Sequence, residues 1–161
     1  MKKKYLITIL ISIFFTSSAF AAATNGSESS KVNNFKKALN LIIQAKKYET
    51  KGKNEKAKKR FKKALEYLVV ANKEKPNHSD TLNYLGFTSR KIGNFKIAEK
   101  YYLEGLALSP NHFGINEYLG ELYVNTNRIE KAKERLKVLE NCGCEEFEEL
   151  SNAIKQGSSK Y

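Results

Sequence analysis

The chain repeats itself at a step of 34 residues, and no other feature limits its fold as much. The step places Leu85-Gly86 on Leu119-Gly120, Ala98 on Ala132, and Tyr102 on Leu136. It also carries Pro76-Asn77-His78 onto Pro110-Asn111-His112, and Pro110 onto Cys144. Small and turn-forming residues therefore recur together, as expected when a two-helix unit cannot bury its apolar face alone and stacks on its neighbours. Composition agrees: Ala, Leu, Lys and Glu dominate, Trp is absent, and only two Pro occur, all favourable to helix.

An earlier unit fits a step of 41. That step aligns Leu41 with Leu82, Ala45 with Gly86, Gly52 with Gly93, Ala57 with Ala98, and Phe61 with Tyr102. The extra seven residues are about two helical turns and so keep the buried face in register. They predict a long helix near 54–73, with Leu65, Leu68 and Val69 continuing its stripe until the polar Asn72. The full expectation is helices near 31–51, 54–74, 79–92, 95–108, 112–125, 129–140 and 145–156. Gly52-Lys53, Gly93-Asn94 and Thr126-Asn127 mark the turns within hairpins. Pro76 and Pro110 stop helices, and Asn77 and Asn111 are the expected N-caps of the next ones. Glu145 and Glu146 favour the start of the last helix, whose Phe147, Leu150 and Ile154 form one apolar face.

These residues resemble the tetratricopeptide repeat. Residues 79–112 supply Leu82, Leu85, Gly86, Ala98, Tyr102, Gly105 and Pro110, departing at Ser89. Residues 113–146 supply Leu119, Gly120, Tyr123, Ala132, Leu136 and Leu139, departing at Asn116 and Cys144. The resemblance implies an all-α, right-handed superhelical stack of three helical hairpins (38–78, 79–112, 113–146) closed by a capping helix, 145–156. It implies a non-catalytic module that takes a protein or peptide along the first helices of the hairpins. The positions facing that groove are Asp80, Asn83, Phe87, Arg90, Lys91, Glu117 and Glu121, and Arg90 with Lys91 suggests an acidic ligand. The family's carboxylate clamp for chaperone tails is missing: its places hold Ile42, Lys46, Tyr84, Gly114 and Tyr118. The sequence around Cys142 and Cys144 also resembles the end of small exported bacterial members of the family.

The N-terminus reads as an export signal. Lys2, Lys3 and Lys4 precede the apolar run 5–15, then Ala19-Phe20-Ala21, the order of a secretory signal peptide over residues 1–21. Cleavage is expected after Ala21, with Ala23 the alternative; a retained anchor is disfavoured because the run is shorter than the roughly 20 residues of a spanning helix. Residues 22–30 read as a flexible leader and 157–161 as a tail. The location implied is periplasmic or secreted, with no integral membrane segment after cleavage.

Loss of residues 1–21 lowers the formal charge from +12 to +9. Ten basic residues and three acidic ones lie in 51–75. This flank suggests an envelope-surface binder as a second function, although a solvated helix face accounts for it more simply. Nucleic acid is a poor fit because no aromatic platform for bases accompanies the basic run. Cys142-Gly143-Cys144 has three readings: a structural disulfide in an oxidising compartment, a strained redox pair that would make the chain a thiol-redox protein, or a metal or intermolecular site, which needs more ligands than these two. No phosphate loop, His-Glu-x-x-His or nucleophile elbow occurs, so the sequence calls for no catalytic residue, metal or cofactor.

Overall fold

The computed structural model describes residues 25–158, with side chains from Asn34 onward. The expected signal peptide and residues 22–24 of the leader lie outside the described residues. Seven helices follow one another: α1 (Asn25–Glu49), α2 (Asn54–Glu74), α3 (Ser79–Lys91), α4 (Phe95–Leu108), α5 (Phe113–Asn125), α6 (Ile129–Leu139) and α7 (Glu145–Gln156). Residues 25–30, read as leader from their small polar character, are instead the first turns of α1.

Antiparallel pairs α1–α2, α3–α4 and α5–α6 form three hairpins, and α7 packs on both α5 and α6. The described residues contain no strand. The long α2 ends at Glu74, and its Ala57, Phe61, Ala64, Leu68 and Ala71 are buried, so the stripe runs through the seven-residue extension. Asn34, inside the N-terminal half of α1, donates to the Glu74 carboxylate at 3.1 and 3.2 Å, tying the end of the longer α2 to α1.

The small residues act on larger partners. A Cβ on Gly86 would run into the ring of Tyr102, which is wholly buried between α3 and α4. The matching Gly120 faces outward from its hairpin: a Cβ there would lie 2.5 and 2.6 Å from the two δ-carbons of Leu150 on α7. The same repeat position thus admits a Tyr within one hairpin and the capping helix at the end of the stack. Gly120→Ala is expected to cost about 1–3 kcal/mol by overpacking, seen as faster amide exchange in α7. Adding Leu150→Ala should lessen that penalty; strictly additive losses would contradict the contact.

Two departures from the repeat pattern find different solutions. Asn116 is buried, but its Nδ2 donates to the carbonyls of Pro110 (2.9 Å) and His112 (3.1 Å), and its Oδ1 accepts from Arg135 Nη1 (3.3 Å). Ser89 is equally buried, and its Oγ has no partner. The caps differ from expectation by one residue. His78 and His112, not the Asn before them, occupy the N-cap positions, and His112 Nδ1 accepts from the Ile115 amide at 3.3 Å. Asn77 instead takes a left-handed turn (φ 59°), which Asn tolerates better than most residues.

Candidate binding face

The face expected to bind a partner is built from α3 and α5, with α1 on one side and α7 on the other. Side chains three and four apart along α3 bring Asn83, Phe87 and Arg90 onto one line, and Glu117 and Glu121 form the matching line on α5. Most of this line is buried. Phe87 is 1% exposed, edge-on to Phe61 (centroids 5.8 Å) and tilted against Tyr118 (5.0 Å), with Lys46 Nζ 4.9 Å from its ring centre. Asn83 is buried beside Gly114.

Polar groups on this line pair with one another. Arg90 Nη2 donates to Glu121 Oε2 at 2.8 Å, with the two residues 4% and 0% exposed. Lys91 meets Glu49 of α1 at 2.6 Å. Asp80 stays exposed at the rim, 3.0 Å from His112 Nε2. Of the seven expected groove residues, then, only Asp80 is fully open to solvent. All seven lie on α3 and α5; how closely α1 and α7 approach them was not visible in the sequence step.

Four residues that the groove assignment omitted decide what remains open. Tyr118, Glu145, Glu146 and Glu149, with Lys46 and Glu117, line an opening of about 200 Å³ between α5, α1 and the start of α7. Burial pushes the Glu117 carboxyl up to about 9, reinforced by the neighbouring charges of Glu121 and Glu149. Glu121 is likewise pushed up by burial, while the Arg90 guanidinium pulls it back. Burial lowers the Lys46 ammonium, with Glu117, Glu149 and Glu121 acting against that shift. Carboxylate oxygens of Glu117, Glu121 and Glu149 come within 4.8 Å of one another, so these three could offer ligands to a cation. Arg90, Lys46 and the proton retained by Glu117 already balance their charge, which leaves a divalent ion little to neutralise.

Cys142 and Cys144 are joined as a disulfide in the turn that leads into α7, with Cα atoms 5.1 Å apart. The Cys144 amide donates to Cys142 Sγ at 3.2 Å, and Gly143 supplies the positive φ (60°) that closes the turn. The pair lies on the stretch that positions Glu145 and Glu146.

Comparison with protein-family models gives no match, and neither does comparison with curated proteins. Solved structures do match. The first TPR domain of Spaghetti (RPAP3), bound to the HSP90 peptide SRMEEVD, is 19% identical and superposes with a TM-score of 0.52 over 76% of this chain and 90% of that one. The NMR structure of the first TPR domain of human RPAP3 is also 19% identical with a TM-score of 0.52, over 79% of this chain and 99% of that one. The fold is that of a tetratricopeptide-repeat domain. In this TPR stack the inner face is closed further than the repeat alone requires, because Phe87, Arg90 and Glu121 fill it and α7 leans on it.

Proposed function

We propose that this chain is a non-catalytic, exported TPR adaptor that binds a peptide or protein partner on its inner face, at the opening between α1, α5 and α7. The observation that carries the reading is that opening. Among the described residues it is an accessible part of the inner face, bordered by Lys46, Tyr118 and the carboxylates of Glu145, Glu146 and Glu149. That the similar Spaghetti domain is described with a bound peptide supports a peptide ligand here. That ligand's chemistry does not transfer, since Ile42, Tyr84, Gly114 and Tyr118 replace the clamp residues. An acidic rim favours a ligand carrying Lys or Arg, with Tyr118 offering a ring face to the same cation. Arg90 and Lys91, which suggested an acidic ligand, are paired with Glu121 and Glu49 inside the fold, and at the opening Lys46 is outnumbered by carboxylates. Export through residues 1–21 supports a periplasmic or secreted location, in keeping with the disulfide.

The test is a peptide array probed with the chain from Ala22 onward. Binding should favour basic peptides, and Glu146→Lys should weaken it about tenfold. Preference for acidic peptides, or indifference to Glu146→Lys, would count against this site.

A further inference from the structure

Charge is divided unevenly between the hairpins. Residues 34–75, which take in α1 from Asn34 and all of α2, carry fourteen Lys and Arg against four Glu, a formal +10. Residues 76–158 carry ten against twelve Asp and Glu, a formal −2. The net charge of the folded part therefore resides in the first hairpin.

Its outer surface holds three shallow concavities. One of about 230 Å³ is lined by Gln44, Lys47, Tyr48 and Lys51. Tyr48 also borders a second, of about 680 Å³, with Lys56, Lys59, Arg60, Lys62, Lys63 and one acid, Glu66. Lys56 and Lys59 continue into a third, of about 430 Å³, along α2. Among the described residues, Lys47, Lys51, Lys56, Lys59, Arg60 and Lys62 are all exposed and meet no carboxylate. Like charges three and four apart on one helix repel, so Lys56, Lys59, Arg60 and Lys63 are held together against their own electrostatics. The apolar element is present too. Tyr67 lies beneath Lys37 and Lys63 at 5.7 and 5.4 Å, and Ile43, one turn before Lys47, is 65% exposed.

We infer that this face docks on an anionic lipid surface. A single bound anion would need fixed, buried donors, and an acidic peptide read by sequence would need oriented ones. Apart from Lys63, which pairs with Glu66 at 2.6 Å, these are exposed cations that meet no carboxylate, suited to a diffuse sheet of negative headgroups. Exposed Ile43, with the half-buried rings of Tyr48 and Tyr67 beside it, supplies the apolar groups that settle at the headgroup level. No described helix is long and apolar enough to cross a membrane, so the contact is peripheral. It occupies the outer face of the first hairpin and leaves the opening beside α7 free.

The experiment uses the chain from Ala22 onward, which keeps every described residue, so that the apolar N-terminus cannot anchor it. Co-sedimentation is measured with phosphatidylcholine vesicles containing about a third phosphatidylglycerol, and with phosphatidylcholine alone. The fourfold variant Lys47→Gln, Lys51→Gln, Lys56→Gln, Lys59→Gln should bind the anionic vesicles about 100-fold more weakly or worse, at roughly fivefold per lysine. A control with the same net charge, Lys96→Gln, Lys100→Gln, Lys133→Gln, Lys137→Gln, should stay within about threefold of the native chain. Circular dichroism checks that both variants remain helical. Equal losses in the two variants, no binding, or equal binding to neutral vesicles would overturn the inference. So would tighter binding of this face to soluble polyglutamate than to the vesicles, since it would assign the face to an acidic polymer.

Discussion

Arg90→Met is expected to destabilise the fold by about 3–5 kcal/mol, measured as a fall in unfolding free energy in urea at pH 7. The reason is the position of Glu121. Arg90 and Glu121 are both withdrawn from water between α3 and α5, and their 2.8 Å bond joins two consecutive hairpins. Removing the guanidinium leaves a carboxylate with no solvent, and its Oε1 already lacks a hydrogen-bond partner. Tyr102 beneath the pair worsens the loss, because burial pushes its hydroxyl well above the ordinary tyrosine range and the Arg90 guanidinium is the polar neighbour that offsets it. The double variant Arg90→Met, Glu121→Leu should recover most of the stability, since replacing a buried ion pair by apolar groups of similar volume is often close to neutral. A single-variant loss below about 1 kcal/mol would mean that water reaches the pair and that this face is more open than described.

Stability should also fall as pH rises, through Glu117. Its folded carboxyl titrates at about 9 against an ordinary value of 4.5, because it is buried and faces Glu121, Glu149 and Glu146. The folded state therefore holds a proton that the unfolded chain releases near 4.5. The resulting stabilisation is complete below pH 4.5, erodes between 4.5 and 9, and is gone above 9. Glu117→Gln keeps a neutral, hydrogen-bonding side chain at every pH. It is expected to be more stable than the native chain at pH 8 by on the order of 1–3 kcal/mol, with little difference at pH 4. The readout is the difference between native and variant unfolding free energies across pH 4–9, which cancels the titration of distant groups. A constant difference would remove the protonated carboxyl from the inner face.

Both effects arise where the repeat pattern is least informative. The step of 34 aligned Gly86 with Gly120, yet one accepts Tyr102 from its own hairpin and the other Leu150 from the capping helix. A pattern of small residues marks where backbones can approach, but not which partner fills the notch. Asn116 shows the same boundary. Its departure from an apolar position was plain in the sequence, and the Pro110, His112 and Arg135 groups that satisfy it were not.

The sequence by itself determined the seven helices, the three hairpins, the seven-residue extension of α2 and the excess of positive charge at the first hairpin. Each follows from local periodicity, turn residues or counting, which need no knowledge of distant neighbours. Tertiary structure alone decided that the expected groove is mostly interior. Arg90, Lys91, Glu117 and Glu121 are charged residues, and Phe87 an aromatic one, at positions that a free hairpin would expose. They become buried because α1 and α7 approach from either side, pairing Lys91 with Glu49 and crowding Glu117 against Glu149. Side-chain burial depends on contacts 30 or more residues apart, and helical periodicity carries no information about how closely those elements pack.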